Sequence, residues 1–323
     1  MATVFITRTL PEVAVKVLKD AGHEVIVAGQ DGPLPREEFL AGLARADAAI
    51  TLLTDQVDGE AMDAAGAIRG FANYAVGFDN MDVPAATERG IPLSNTPGVL
   101  TAATAEMAWA LLFAVSRRVV ESDTIMRSGR WPGWGPMQFI GGDVGGRTLG
   151  IVGAGRIGTA MAMRSRGFEM PVLYTDENRN ETLERELGAR KVDLDTLLAE
   201  SDFVSVHVPL MPATRHLFGT KAFQRMKRSA YLINTARGAV INEAELVTAL
   251  REHVIAGAGL DVYEFEPQMV DGLTELDNVV ITPHTASATE DSRNGMAELA
   301  ARNVLAMLEG SVPETCLNPH VCR

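Results

Sequence analysis

Short apolar runs recur along the chain, separated by stretches in which apolar positions return every three or four residues. The first pattern predicts strands and the second predicts helices. Their alternation predicts an α/β fold with parallel sheets. Strands are expected first at residues 4–7, 24–28, 48–53, 70–75 and 91–94. Between the first two, Pro11 opens a helix with Val13, Val17 and Leu18 on one side, and Gly22 stops it. Five such strands with short intervening helices make a small doubly wound domain.

The pattern changes after Asn95-Thr96-Pro97-Gly98, whose turn residues mark a hinge. A long apolar helix is expected over 101–118, with Ala105, Ala108, Trp109, Leu112 and Val115 on a wide buried stripe. A Trp- and Gly-rich loop, 129–146, leads to a second strand set at 149–152, 172–175, 203–208, 231–235, 256–261 and 279–282. Several of these are apolar almost throughout, as strands buried on both faces are. Six strands with crossover helices match the two-halved, Rossmann-type nucleotide-binding sheet. A last helix, about 291–309, has no strand to follow it and is expected to return to the first domain. The expected division is therefore 1–98 with 287–323, and 99–286.

Composition narrows the function. A length of 323 residues suits two domains, and 46% apolar residues suffice for two cores. No apolar run is long enough for a membrane span. The start, Met1 to Ile6, lacks the basic region and cleavage site of a signal peptide. Cys316 and Cys322, both in the tail, cannot form a disulfide framework, so a reducing, cytoplasmic compartment is expected. A net charge of −13 argues against general binding to nucleic acid or anionic membranes. It also requires local positive groups wherever a small anion binds.

Gly153-Ala154-Gly155-Arg156-Ile157-Gly158 follows the 149–152 strand and opens a helical pattern. A bare Gly-x-Gly-x-x-Gly says little, but strand before and helix after are the context that a dinucleotide fingerprint needs. Gly153 suits the tight turn, Gly155 lets the backbone approach a pyrophosphate, and Gly158 lets helix and strand pack closely. The amides of the helix start then face the phosphates. Asp176 ends the next strand, where a carboxylate accepts from ribose hydroxyls and repels a 2′-phosphate. NAD(H) is therefore expected over NADP(H), although Arg179 nearby could meet a 2′-phosphate.

Three later segments place polar residues at strand C-terminal ends, where open α/β sheets bind ligands. They are Ile233-Asn234-Thr235-Ala236-Arg237-Gly238, then Gly259 to Pro267, and Thr282-Pro283-His284. Chemistry on a small anion beside such a cofactor needs a fixed cation, and an arginine offers a planar fork of donors. It needs a proton donor working near neutral pH, which suits histidine. It needs a carboxylate to orient the imidazole and stabilise its protonated form. Glu264 and Glu266 both sit in an acidic turn, and residue chemistry alone does not choose between them.

With these motifs, and with Asn73-Tyr74-Ala75-Val76-Gly77-Phe78-Asp79-Asn80, Trp134-Gly135-Pro136 and Gly141-Gly142-Asp143-Val144, the chain resembles the D-isomer-specific 2-hydroxyacid dehydrogenases over nearly its whole length. It looks most like the glyoxylate/hydroxypyruvate reductases among them. The resemblance implies an NAD-binding domain beside a smaller, flavodoxin-like substrate domain. It puts Arg237 on the substrate, His284 as general acid/base and Glu266, before a proline, as the histidine's support. It implies cofactor contacts at Gly153, Gly155, Arg156, Ile157, Gly158, Asp176, Thr104, Val208, Pro209, Ala236 and Asp261, the last near the nicotinamide carboxamide. It implies substrate contacts at Ala75, Val76 and Gly77, with the Val76 and Gly77 amides taking the carboxylate. Trp134 matches a tryptophan that reaches a partner subunit's site, and a homodimer is expected.

One departure stands out: the family commonly reads Ile-Gly after the histidine, and here Thr285-Ala286 follows, close to the expected carboxamide. Formate dehydrogenases carry glutamine where Glu266 stands. Long-form phosphoglycerate dehydrogenases add a C-terminal domain; a short form, or a reductase of another 2-oxo acid, stays open as an alternative, with the absence of an extra basic cluster for a phosphate counting against the former. A dinucleotide-sensing, corepressor-like protein on this scaffold would keep similar residues and is separated by slow turnover with peptide binding. No metal is expected. The sequence thus predicts two domains closing over NADH and a small 2-oxo acid such as glyoxylate or hydroxypyruvate, giving the D-hydroxy acid.

Overall fold

A computed structural model describes residues 1–29 and 32–322. By packing, the chain divides into two compact units: unit 1 runs to Leu100 and resumes at Ala288, and unit 2 spans Thr101–Ser287.

In unit 1 the strands are β1 (Thr3–Ile6), β2 (Glu24–Val27), β3 (Ala48–Thr51), β4 (Phe71–Asn73) and β5 (Leu93–Ser94). All pair in parallel in the order β2-β1-β3-β4-β5, the flavodoxin-like winding. The central β3 is buried throughout, whereas the edge strand β2 exposes Glu24 and Val27. The first helix, Glu12–Asp20, buries Ala14 and Leu18, one turn apart. Val13 and Val17, expected on the buried side, are only half-buried. The last helix, Glu290–Glu309, starts on a Thr289 cap and stops at the left-handed Gly310. The Tyr74 hydroxyl donates to the Arg293 carbonyl and the Arg69 guanidinium to that of Leu308, which ties this helix to unit 1.

Unit 2 holds β6 (Leu149–Val152), β7 (Val172–Thr175), β8 (Arg190–Lys191), β9 (Phe203–Val206), β10 (Tyr231–Asn234), β11 (Gly257–Leu260) and β12 (Val279–Ile281). The order is β12-β11-β10-β9-β6-β7-β8, all parallel. This is seven strands, not the expected six. The additional β8 is two exposed charged residues on the sheet edge, so it carries no apolar signal. The apolar runs are explained by alternation. Ile151, Val172, Tyr174, Phe203 and Ile233 belong to one hydrophobic cluster, and Val152, Leu173, Val204 and Leu232 belong to another. Each strand thus feeds a core on both of its faces.

The long helix runs Thr101–Ser116, two residues shorter than expected, and buries the whole expected stripe. The chain then turns through a left-handed Arg118 (φ 54°) into a helix, Val119–Arg127, that buries no residue. Sequence patterning passed over that helix because burial is what writes a periodic signal. No helix among the described residues is long and apolar enough to cross a membrane.

The strand register aligns the ends of the central strands. Val152 pairs with Val206, Val206 with Asn234, Asn234 with Leu260 and Leu260 with Ile281. The residues that leave these strands, from Gly153 to Thr282, therefore emerge along one carboxyl edge of the sheet.

Candidate active site

At β6 the chain turns through Gly153 (φ 93°), packed against the backbone of Val208 just beyond β9. Pro209 follows, exposed. Gly158 is the position that admits nothing larger, because an added Cβ would lie 2.0 Å from the Gly153 carbonyl oxygen. At Gly155 an added Cβ would meet nothing within 4 Å, so the turn is open on that side. The amides of Gly155, Arg156 and Ile157 have no protein acceptor among the described residues, at the start of the helix Arg156–Arg164. Unsatisfied donors at a helix N-terminus suit a phosphate.

Asp176, just past β7, accepts from the Ala154 amide (2.8 Å) and the Asn178 amide (3.0 Å). Its carboxylate thus lies against the glycine turn, where a ribose following the pyrophosphate would be met. Arg179 points its guanidinium to Glu184, with Nε at 2.7 Å from the carboxylate. Together these residues fit a dinucleotide with a free 2′-hydroxyl.

At the other end of the sheet, His284 Nδ1 lies 2.8 Å from Glu266 Oε2. The two side chains are 28% and 29% exposed, so each is accessible without being fully solvated. The other Glu266 oxygen accepts from the Tyr263 amide at 2.9 Å. Burial alone would raise the Glu266 carboxyl. The hydrogen bond and charge of His284, the Tyr263 amide and the Arg237 charge outweigh it and hold the group below its usual range.

His284 itself adopts a left-handed backbone (φ 52°), uncommon for a residue with a side chain. The buried Asp261 stabilises that turn. One of its oxygens accepts from the Thr282 hydroxyl (2.5 Å) and the Thr285 amide (2.8 Å), and the other from the Ala286 amide (2.7 Å). Asp261, expected at the carboxamide, therefore spends both oxygens on the histidine turn. The departure at Thr285-Ala286 costs nothing in backbone terms, because neither residue has a positive φ that would call for glycine.

Arg237 follows β10 on a loop organised by the buried Asn234. The Asn234 side chain accepts from the Ala236 amide and donates to the Arg237 carbonyl. Arg237 Nη1 donates to the Ala236 carbonyl at 2.9 Å. Next to it, Gly238 packs so tightly on the 263–266 turn that an added Cβ would lie 1.8 Å from the Tyr263 carbonyl carbon. The absence of a side chain at 238 thus brings the arginine loop against the loop that carries Glu266.

The acidic turn separates its two glutamates. The Glu264 side chain is only 5% exposed and is held by His216 Nε2 (2.5 Å) and Arg215 Nη2 (3.3 Å). It does not sit in an exposed turn, as its sequence context suggested, and Glu266 is the one that meets the histidine. The partners of Glu264, and the buried Glu243, whose carboxylate accepts from the Glu264 and Val270 amides, are what sequence reasoning missed.

Thr104, also expected at the site, is buried on the long helix of unit 2. In unit 1, the carbonyls of Ala75, Val76 and Gly77 accept from the Thr96 amide, the Asn95 side chain and the Asn73 side chain. The Val76 and Gly77 amides have no protein acceptor among the described residues, which leaves two donors side by side. Trp134 stands apart, 83% exposed on the 129–146 loop.

A model of the D-isomer specific 2-hydroxyacid dehydrogenase NAD-binding domain matches residues 109–286. Over 322 residues the chain is 48% identical to a glyoxylate reductase of Thermococcus litoralis, covering 98% of this chain and 97% of that one. A solved structure of a protein from Thermus thermophilus superposes with a TM-score of 0.92 at 44% identity, covering 98% of this chain and 99% of that one. An NADPH-dependent glyoxylate/hydroxypyruvate reductase of Sinorhizobium meliloti, solved with NADP and malonate, superposes at 0.86 with 29% identity, covering 98% and 97%.

Proposed function

The chain belongs to the D-isomer specific 2-hydroxyacid dehydrogenases, NAD-dependent oxidoreductases, and from that premise we propose that it reduces glyoxylate, with hydroxypyruvate as a second substrate. The observation that carries this reading is the His284–Glu266 hydrogen bond, set beside the Arg237 loop at the carboxyl edge of the nucleotide-binding sheet.

Residues 153–158 and Asp176 hold the dinucleotide, which supplies the hydride. Arg237 binds the substrate carboxylate and polarises the ketone. His284 delivers the proton to the oxygen of the former ketone, and Glu266 keeps the imidazole oriented. Thr104, Val208, Pro209 and Ala236 line the cofactor, and Asp261 shapes the turn beside it through the Thr285 and Ala286 amides. Unit 1 is the substrate domain, and its Val76 and Gly77 amides take the substrate carboxylate. The product is the D-hydroxy acid where it is chiral. Local donors of this kind bind an anion to a protein of net charge −13.

Loss of reduced-nicotinamide absorbance with glyoxylate, hydroxypyruvate, pyruvate and phosphohydroxypyruvate tests the reading. Fast turnover on either of the first two is expected. Tight NADH binding with no turnover on any of the four would overturn it.

NADH is the preferred cofactor, on the grounds that Asp176 repels a 2′-phosphate while Glu184 occupies Arg179. Asp176→Ala should raise the ratio of NADPH to NADH efficiency by about tenfold or more. A ratio within twofold of the wild type would place Asp176 outside the ribose site.

The protein acts as a homodimer through unit 2. Val119, Val120, Met126, Trp131, Trp134, Met137 and Ile140 are all exposed between residues 119 and 140, more apolar surface than a monomer usually leaves in one segment. Trp131→Glu combined with Met137→Glu should halve the mass measured by light scattering. An unchanged mass would show that this face is not the interface.

A further inference from the structure

Residues 265 to 269 form an unbroken exposed stretch, and Glu266 lies within it. Packing reaches this turn only at its start, where Gly238 meets residues 263 and 264, and leaves 265–269 to be positioned by other means. The stretch is closed by a short bridge between Phe265 and Gln268, with the Gln268 amide donating to the Phe265 carbonyl at 2.9 Å. That bridge shapes the turn but does not anchor it to the domain.

Backbone anchors lie at its two ends, and one carboxylate makes both, beside the hold of His216 and Arg215 on the Glu264 side chain. Glu243 is the first residue of the helix Glu243–Arg251 and is 3% exposed. Its Oε2 accepts from the Glu264 amide at 2.8 Å, and its Oε1 accepts from the Val270 amide at 2.8 Å. The Glu243 amide in turn faces Glu264 Oε2 at 3.4 Å. Charged acceptors bind amides about twice as strongly as neutral ones, and a carboxylate at a helix N-terminus is itself favoured. A buried carboxylate that bonds only backbone donors on either side of an exposed turn is a clamp on that turn.

We propose that Glu243 is a positioning residue for the reaction: by holding the amides of residues 264 and 270 it sets Glu266, and through Glu266 the imidazole of His284. This rests on the dehydrogenase reading above. Misplacement of an outer support typically costs one to two orders of magnitude in activity.

Glu243→Gln keeps the shape but sets an NH₂ group against one of the two amide donors. Glu243→Asp keeps the charge but is too short to reach both. Each variant should lower kcat about 10- to 100-fold while leaving the KM for NADH within about twofold. Glu266 should also recover part of its ordinary acidity as its bonds to His284 and to the Tyr263 amide loosen, with the Arg237 charge still nearby. The acidic limb of the kcat/KM profile would then move to higher pH, and so would the Glu266 titration read by carboxyl-carbon NMR. A variant that only weakened the fold would lower the melting temperature without moving either.

Folded variants with wild-type kcat and an unmoved Glu266 titration would overturn the proposal. So would an activity loss that Glu266→Gln does not mask in the double variant. The NMR titration uses no substrate, so it can fail or succeed independently of the 2-oxo acid assays. If neither substitution folds, Val270→Pro removes one amide and leaves the carboxylate. It must then give the same shift of the Glu266 titration, and an unmoved titration counts against the clamp.

Discussion

Replacing His284 with alanine should lower kcat by ~10²–10⁴-fold with glyoxylate while the Kd for NADH stays within about twofold. The reduction places negative charge on the ketone oxygen as hydride arrives, and that charge must be quenched by a proton in the transition state. His284 is the donor with a carboxylate hydrogen-bonded behind it, at 2.8 Å on Nδ1, on a side chain 28% exposed. The nucleotide loop is built on a different strand, β6, which β9, β10 and β11 separate from β12, the strand that leads to His284, so cofactor binding should be unaffected. Stopped-flow measurement of the first turnover, with NADH fluorescence for binding, separates the two. Turnover surviving within a few-fold would mean that the proton comes from elsewhere.

The companion variant Glu266→Gln should cost less, about 10- to 100-fold, because it removes the support rather than the donor. The pH dependence follows from the direction of the Glu266 shift. Its carboxyl is held below the usual carboxylate range, near 4.3, so the anion beside His284 persists through the mildly acidic region and is lost only as pH falls through the lowered value. The folding contribution of the pair has the same sign: present above the ordinary carboxylate pKa and lost below the depressed one. Glu266→Gln should remove this acidic limb from the kcat/KM profile.

The parts legible in the sequence were those that write a local signal. Strands buried on both faces wrote continuous apolar runs, and β6 and β7 were bounded to the residue because turns close both ends. The glycine turn was legible because its function requires absences of side chain at fixed spacings, and Gly158 meets its own loop at 2.0 Å. What stayed hidden has the opposite character. β8 is a pair of charged edge residues, and the helix Val119–Arg127 buries nothing, so neither has a periodic pattern. Asp261 and Glu243 act by binding backbone amides 21 to 27 residues away, and a backbone amide has no signature in a sequence. Glu264 and Glu266 looked alike because their difference is made by His216 and Arg215, brought in from a distant loop.

Arg237→Lys should lower kcat/KM for glyoxylate by ~10²–10³-fold, although the charge is kept. A guanidinium carries its N–H donors in a planar fork that matches a carboxylate and a neighbouring oxygen together. An ammonium at the same place is a point charge on a flexible stem and cannot satisfy carboxylate and ketone oxygen together. The loss should therefore appear in two parameters. KM rises because the carboxylate is held in the ground state, and kcat falls because the ketone oxygen gains charge only in the transition state. Oxalate, a small dicarboxylate that cannot be reduced, should lose affinity by about the same factor as KM rises. If instead kcat/KM fell by less than threefold, the anion would be held by other donors, and the paired Val76 and Gly77 amides of unit 1 would become the principal substrate site.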